Sequence, residues 1–144
     1  MSPAYVDSSA LVKLVRQEPE TDALRRYLTS AGPLTSSILA TVEVPRAVSR
    51  VAPERADAVP AVLETVVLVE FDARIAARAA ALGPASLRTL DAIHLATALE
   101  LVGELTAFVS YDDRLSAAAR DLGLPVVAPR GHPSTDMSME ESPR

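Results

Sequence analysis

Short runs of β-prone apolar residues alternate with Ala- and Leu-rich amphipathic stretches along this chain, and that alternation leaves few folds open. A parallel strand cannot be reached from its predecessor by a tight turn, so repeated strand and helix segments are the pattern of a parallel α/β sheet. Strands are expected at 3–7, 34–36, 66–71, 106–110 and 125–128. Helices are expected from Ser8 or Ser9 to about 17, over 20–31, 38–51 and 54–64, from a cap at Asp72 to Gly83, from about Thr89 to Val102, and over 114–121. Two prolines interrupt this scheme. Pro45 removes the amide that would bond to the carbonyl of Thr41 and disfavours helical geometry at Val44, which predicts a kink or irregular turn just after Glu43. Pro60 interrupts the helix over 54–64 in the same way. Residues 1–128 are expected to form one domain, and 129–144, without apolar periodicity, a flexible tail.

Four acids occupy separated but comparable places in this pattern. Asp7 ends the first apolar run in AYVDSSALVK, and Asp112 follows another in AFVSYDDRL. Both should emerge at the carboxyl edge of the sheet, where open α/β folds keep their ligands. Glu43 lies in LATVEVPR, in the first half of a helix, and Asp91 in LRTLDAIHLATAL, in the first turn of another, where the positive end of the helix dipole favours an ionised carboxylate. Carboxylates gathered without bases to pair them call for a cation. Ligation by oxygen alone suits Mg2+ or Mn2+, and two such ions can drive in-line hydrolysis of a phosphodiester.

Composition narrows the chemistry further. The chain has 144 residues and no cysteine, which excludes disulfides, thiol catalysis and Cys-ligated zinc and fits a reducing cytoplasm. No basic segment followed by a long apolar stretch opens it, so neither export nor membrane insertion is expected. The formal net charge of −5 argues against nucleic-acid binding until its layout is considered. Four of the acids are the candidate site, Glu140 and Glu141 sit in the tail, and thirteen of the fourteen basic residues are arginine, spread over the helices. Arginine is the better bidentate partner for phosphate, although solvated helix faces explain the same distribution. Aromatic residues make up 3%, too few for an extended base-stacking platform.

The order of these acids, with the phrases LDAIHLATAL and SYDDRL around the last two, resembles the PIN domain, specifically the VapC-type toxins of prokaryotic toxin–antitoxin pairs. The resemblance covers residues 3 to about 128. It implies a three-layer α/β/α PIN-like fold with a central, mostly parallel sheet of four to five strands. It also implies a Mg2+-dependent endoribonuclease, with Mn2+ as the alternative ion, whose metal-binding and catalytic acids fall on Asp7, Glu43, Asp91 and Asp112. Its products would carry 5′-phosphate and 3′-hydroxyl ends. Ser8 and Ser110 match positions where the family often has a small hydroxyl able to bond a carboxylate. Asp113 is either an additional carboxylate beside the ligands or the cap of the following helix. Partners implied in the same way are an RNA substrate, a cognate VapB-type antitoxin and a second copy of the chain, with the apolar faces of residues 9–17 and 38–51 as the antitoxin groove.

Two other readings compete. A haloacid-dehalogenase-like phosphatase also places Asp after its first strand, but requires a second Asp two residues on, where this chain has Ser9. A catalytically inactive PIN-like domain that only binds RNA or protein would keep the same acids. Of the two histidines, His94 could face the site from three residues beyond Asp91, but its apolar neighbours favour a hydrogen-bonded structural role, and His132 lies in the tail.

Overall fold

The computed structural model describes residues 2–131. Five short strands, β1 (Ala4–Val6), β2 (Leu34–Ser37), β3 (Val66–Val69), β4 (Ala107–Val109) and β5 (Val126–Val127), form one sheet in the order β3-β2-β1-β4-β5. Every adjacent pair is parallel. The helices between them are α1 (Ser8–Val15), α2 (Thr21–Ser30), α3 (Ala40–Val51), α4 (Val59–Leu63), α5 (Ala73–Ala81), α6 (Thr89–Leu99) and α7 (Asp113–Asp121).

Alternation along the strands sorts the core into two layers. In β1, Val6 packs into the cluster containing Leu11, Leu24, Val44 and Val48, whereas Tyr5 packs with Leu95 and Leu115 on the other face. In β4, Ala107 and Val109 join the first cluster and Phe108 the second. Successive side chains of a strand point to opposite faces, so both faces are covered by helices and the architecture is three-layered. Ile75 of α5 packs with Ile93 of α6 in a third cluster.

The order places β1 between β2 and β4, so the chain winds one way from β1 to β3 and the other way through β4 and β5. The carboxyl ends of β1 and β4 therefore border the point where the winding direction changes, the usual ligand position in such sheets.

Of the two prolines, Pro45 does not bring the irregular turn expected after Glu43, whereas the stretch around Pro60 is interrupted as expected. Helix α3 runs unbroken through Pro45. Ala40, Val44 and Val48, spaced four apart, are all fully buried, and that continuous apolar stripe outweighs one missing backbone bond. The expected helix over 54–64 is instead a 3-10 segment, Pro53–Ala58, followed by α4, with Pro60 tolerated in the first turn of α4. After α7, Gly123 adopts φ of 83°, and the amide of Leu124 bonds to the carbonyl of Ala119, which closes the helix and directs the chain into β5. Of the expected tail, residues 132–144, with His132, lie outside the described residues.

Candidate active site

Each of the four acids stands at the amino end of a different helix. Asp7 and Asp112 are the N-caps of α1 and α7, and Glu43 and Asp91 lie in the first turns of α3 and α6. Four helix N-termini thus direct partial positive charge at one region, which eases the gathering of like carboxylates. All four acids line a single cavity of about 370 Å³, together with Ser8, Ser9, Arg88 and His94.

Asp7 is the most enclosed, only 2% exposed. One carboxylate oxygen, Oδ1, accepts from the hydroxyl of Ser9 at 2.7 Å and the amide of Ala10 at 3.0 Å, and Oδ2 accepts from the hydroxyl of Ser110 at 2.6 Å. Burial pushes the Asp7 carboxyl above its ordinary value, and these hydrogen bonds offset only part of the effect.

Glu43 is half-buried. Its Oε1 accepts from the Ser8 hydroxyl at 2.6 Å and lies 2.7 Å from Nε2 of His94. Burial alone would raise this carboxyl, but the hydrogen bond and charge of His94, with Ser8, overcome it and hold Glu43 below the usual glutamate value. The continuity of α3 across Pro45 is what keeps Glu43 facing the cavity.

Asp91 and Asp112 share an arginine. Arg88 Nε lies 3.2 Å from Asp91 Oδ2, and its Nη2 lies 3.5 Å from Asp112 Oδ2. Asp112 Oδ1 meanwhile accepts from the amides of Arg114 and Leu115 at 2.9 and 3.0 Å, so Asp112 is itself the helix cap. Asp113 is exposed at the first position of α7 and does not line the cavity, so it is neither the cap nor, in this arrangement, part of the acidic cluster. Ser110 has two roles, since its hydroxyl also accepts from the Asp112 amide at 3.1 Å.

The donor set fits a hard divalent cation, being composed of carboxylate oxygens with hydroxyls beside them. Each acid except Asp7 has an oxygen that the backbone and the serines leave free. Among the described residues, however, no three acidic or imidazole side chains are already drawn close enough to make a ligand shell. Arg88 meanwhile engages Oδ2 of both Asp91 and Asp112. Sequence reasoning missed Arg88 and Ser9; the expectation of a hydrogen-bonded His94 holds, and His94 also lines the cavity. For His94 the signal was present in the spacing, since a residue three after Asp91 shares its side of α6, whereas Arg88 lies just before the helix as its N-cap.

The PIN domain family model matches residues 4–121. Ribonuclease VapC46 of Mycobacterium tuberculosis is 47% identical over 129 residues, spanning 90% of this chain and 99% of that protein. The chain belongs to the PIN domain family, as a ribonuclease of the VapC type. Ribonuclease VapC35 of the same organism is 50% identical over 129 residues, 87% of this chain and 96% of that protein. PIN-domain ribonucleases are typically metal-dependent.

Two solved structures superimpose on the fold. VapC20 of M. tuberculosis, described as a toxin cleaving the sarcin–ricin loop, gives a TM-score of 0.70 at 19% identity, covering 88% of this chain and 99% of that one. A toxin–antitoxin complex from Klebsiella pneumoniae gives 0.68 at 22% identity, covering 90% and 99%. Among the described residues of this PIN domain, no helix is long and apolar enough to cross a membrane.

Proposed function

We propose that the acidic cavity is the catalytic centre of a Mg2+-dependent endoribonuclease, with Mn2+ as a working substitute, that acts as the toxin of a toxin–antitoxin pair and restrains translation or growth. The observation that carries this reading is the convergence of Asp7, Glu43, Asp91 and Asp112, from four helix N-termini, on one cavity at the carboxyl edge of the sheet. Asp7, Glu43, Asp91 and Asp112 would hold a divalent cation there, which would supply the charge for activating water and stabilising the phosphodiester during cleavage. The chain's own residues do the rest. Ser110 and Ser9 hold Asp7 as an oriented carboxylate, Ser8 and His94 do so for Glu43, and Arg88 at the cavity rim is placed to take an RNA phosphate once it releases the aspartates.

A second cavity of about 500 Å³ adjoins the first between α1 and α3, walled by Val12, Leu39, Val42 and Ala47, with Arg46 and Arg50 on its flank. Val42 is 58% exposed and Leu90, at the junction of the two cavities, 47%. This groove suits the apolar face of a VapB-type antitoxin segment, which would cover the acidic cavity from its side. A homodimer in the cytoplasm completes the reading.

The direct test is incubation of partner-free protein with total RNA and Mg2+ or Mn2+, beside Asp7→Ala, Asp91→Ala and EDTA controls, with sequencing of new 5′ ends. Discrete cuts that vanish in all three controls are expected. Equal background throughout, in folded protein that still binds the ion, would instead mark a binding-only domain.

A further inference from the structure

We infer that His94 is a positioning residue for Glu43, held in its working orientation by Tyr5, so that a buried hydrogen-bonded line from β1 through α6 to α3 decides which oxygen Glu43 offers to the cavity. This inference rests on the reading of Glu43 as a cation ligand.

His94 is 2% exposed and Tyr5 is fully buried. The Tyr5 hydroxyl lies 2.7 Å from Nδ1 of His94, and Nε2 lies 2.7 Å from Oε1 of Glu43. A carboxylate can only accept, so Nε2 carries a hydrogen and donates it to Glu43, while Nδ1 pairs with the Tyr5 hydroxyl. Aromatic packing flanks the line. The Tyr5 ring stacks on Phe108 with an interplanar angle of 1° and meets the His94 ring edge-on, with centroids 5.9 Å apart. Tyr5 precedes Asp7 by two residues on β1, and His94 follows Asp91 by three on α6, so the line ties together three of the four acid-bearing elements.

Its consequence lies in the oxygens of Glu43. Oε1 receives both Ser8 and His94 and is saturated, whereas Oε2 makes no hydrogen bond among the described residues. Two donors on one oxygen fix the carboxylate plane and leave Oε2 as the atom presented to a cation. Partners that orient a ligand in this way typically carry about 10- to 100-fold in metal affinity or activity.

The test compares wild-type protein with Glu43→Ala, His94→Leu, His94→Gln and Tyr5→Phe. Mn2+ affinity is measured by calorimetry, RNA cleavage at saturating Mn2+, and folding by thermal melting. His94→Leu is expected to weaken Mn2+ binding about tenfold or more. His94→Gln, whose amide can still donate to Glu43, should restore most of that loss, which a space-filling role would not require. Tyr5→Phe, which keeps the stacked ring and removes only the hydroxyl, should fall between wild type and His94→Leu. If Glu43→Ala weakens Mn2+ binding while Tyr5→Phe and His94→Leu bind as wild type, the inference is overturned and the site reading stands. His94→Gln as poor as His94→Leu overturns it too. If Glu43→Ala itself binds Mn2+ normally, the assignment of Glu43 to the cation site is what fails.

Discussion

The hydroxyl of Ser110 stands 2.6 Å from Oδ2 of Asp7, joining the residue that follows β4 to the one that follows β1 across 103 positions of sequence. Both groups are buried, and the same hydroxyl takes the amide of Asp112. One side chain therefore fixes two acids on opposite sides of the point where the sheet changes winding direction.

Replacing Ser110 with Ala removes a hydrogen bond to a buried carboxylate and leaves the Asp112 amide without its side-chain acceptor. Bonds of this type contribute about 2 kcal/mol, so urea denaturation should show a loss of that order, with cleavage reduced about tenfold or more. An unchanged midpoint would mean that the Asp7 carboxylate does not depend on Ser110.

Asp7→Asn should abolish cleavage and yet stabilise the chelated protein at neutral pH. Folded Asp7 holds its proton above the ordinary value of 3.8, so the folded state binds more protons than the unfolded one from there up to the raised value, and stability falls as pH rises through that window. Glu43 has the opposite sign. Its contribution is fully present above the ordinary 4.5 and is lost as pH falls through its lowered folded value. Melting temperatures in EDTA across about pH 4 to 8 should therefore decline less steeply with pH in Asp7→Asn than in wild type, at about 4 °C per kcal/mol relieved. Parallel curves would contradict the burial-driven shift.

Arg88→Ala tests the competition between guanidinium and cation. The Arg88 side chain is 58% exposed, and such ion pairs contribute about 0–1 kcal/mol, so the fold should be almost unaffected. Freed from Arg88, Asp91 and Asp112 should bind Mn2+ up to about fivefold more tightly by calorimetry. Weaker binding would show that Arg88 holds the aspartates in place for the ion.

Val42→Glu should separate the two surfaces. Val42 lines the groove between α1 and α3 but not the acidic cavity. RNA cleavage should persist, while a co-expressed antitoxin should lose about 1.5–3 kcal/mol of binding, roughly 10- to 100-fold, and its neutralising power with it. Retained neutralisation would move the antitoxin to another face.

Asp7 was legible in the sequence because an apolar run followed by an acid and two serines encodes strand, cap and helix within a few residues. Asp91 was legible for a similar local reason. Where tertiary packing decides, local rules misled. Pro45 lies in a helix whose buried stripe is strong enough to carry it, and Asp112 rather than Asp113 caps α7 because the turn out of β4 aims Asp112 at the amides of Arg114 and Leu115. The approach of Arg88 to Asp112, and of His94 to both Tyr5 and Glu43, joins residues far apart in the chain, and no single segment announces it.

The acids are distributed over residues 7 to 112, one per helix, and the last is delivered only by the strand that completes the centre of the sheet. Until β4 has emerged and docked, Asp7 has no Ser110 and the cluster has no fourth member, so the proposed site can be assembled only after most of the domain has been synthesised.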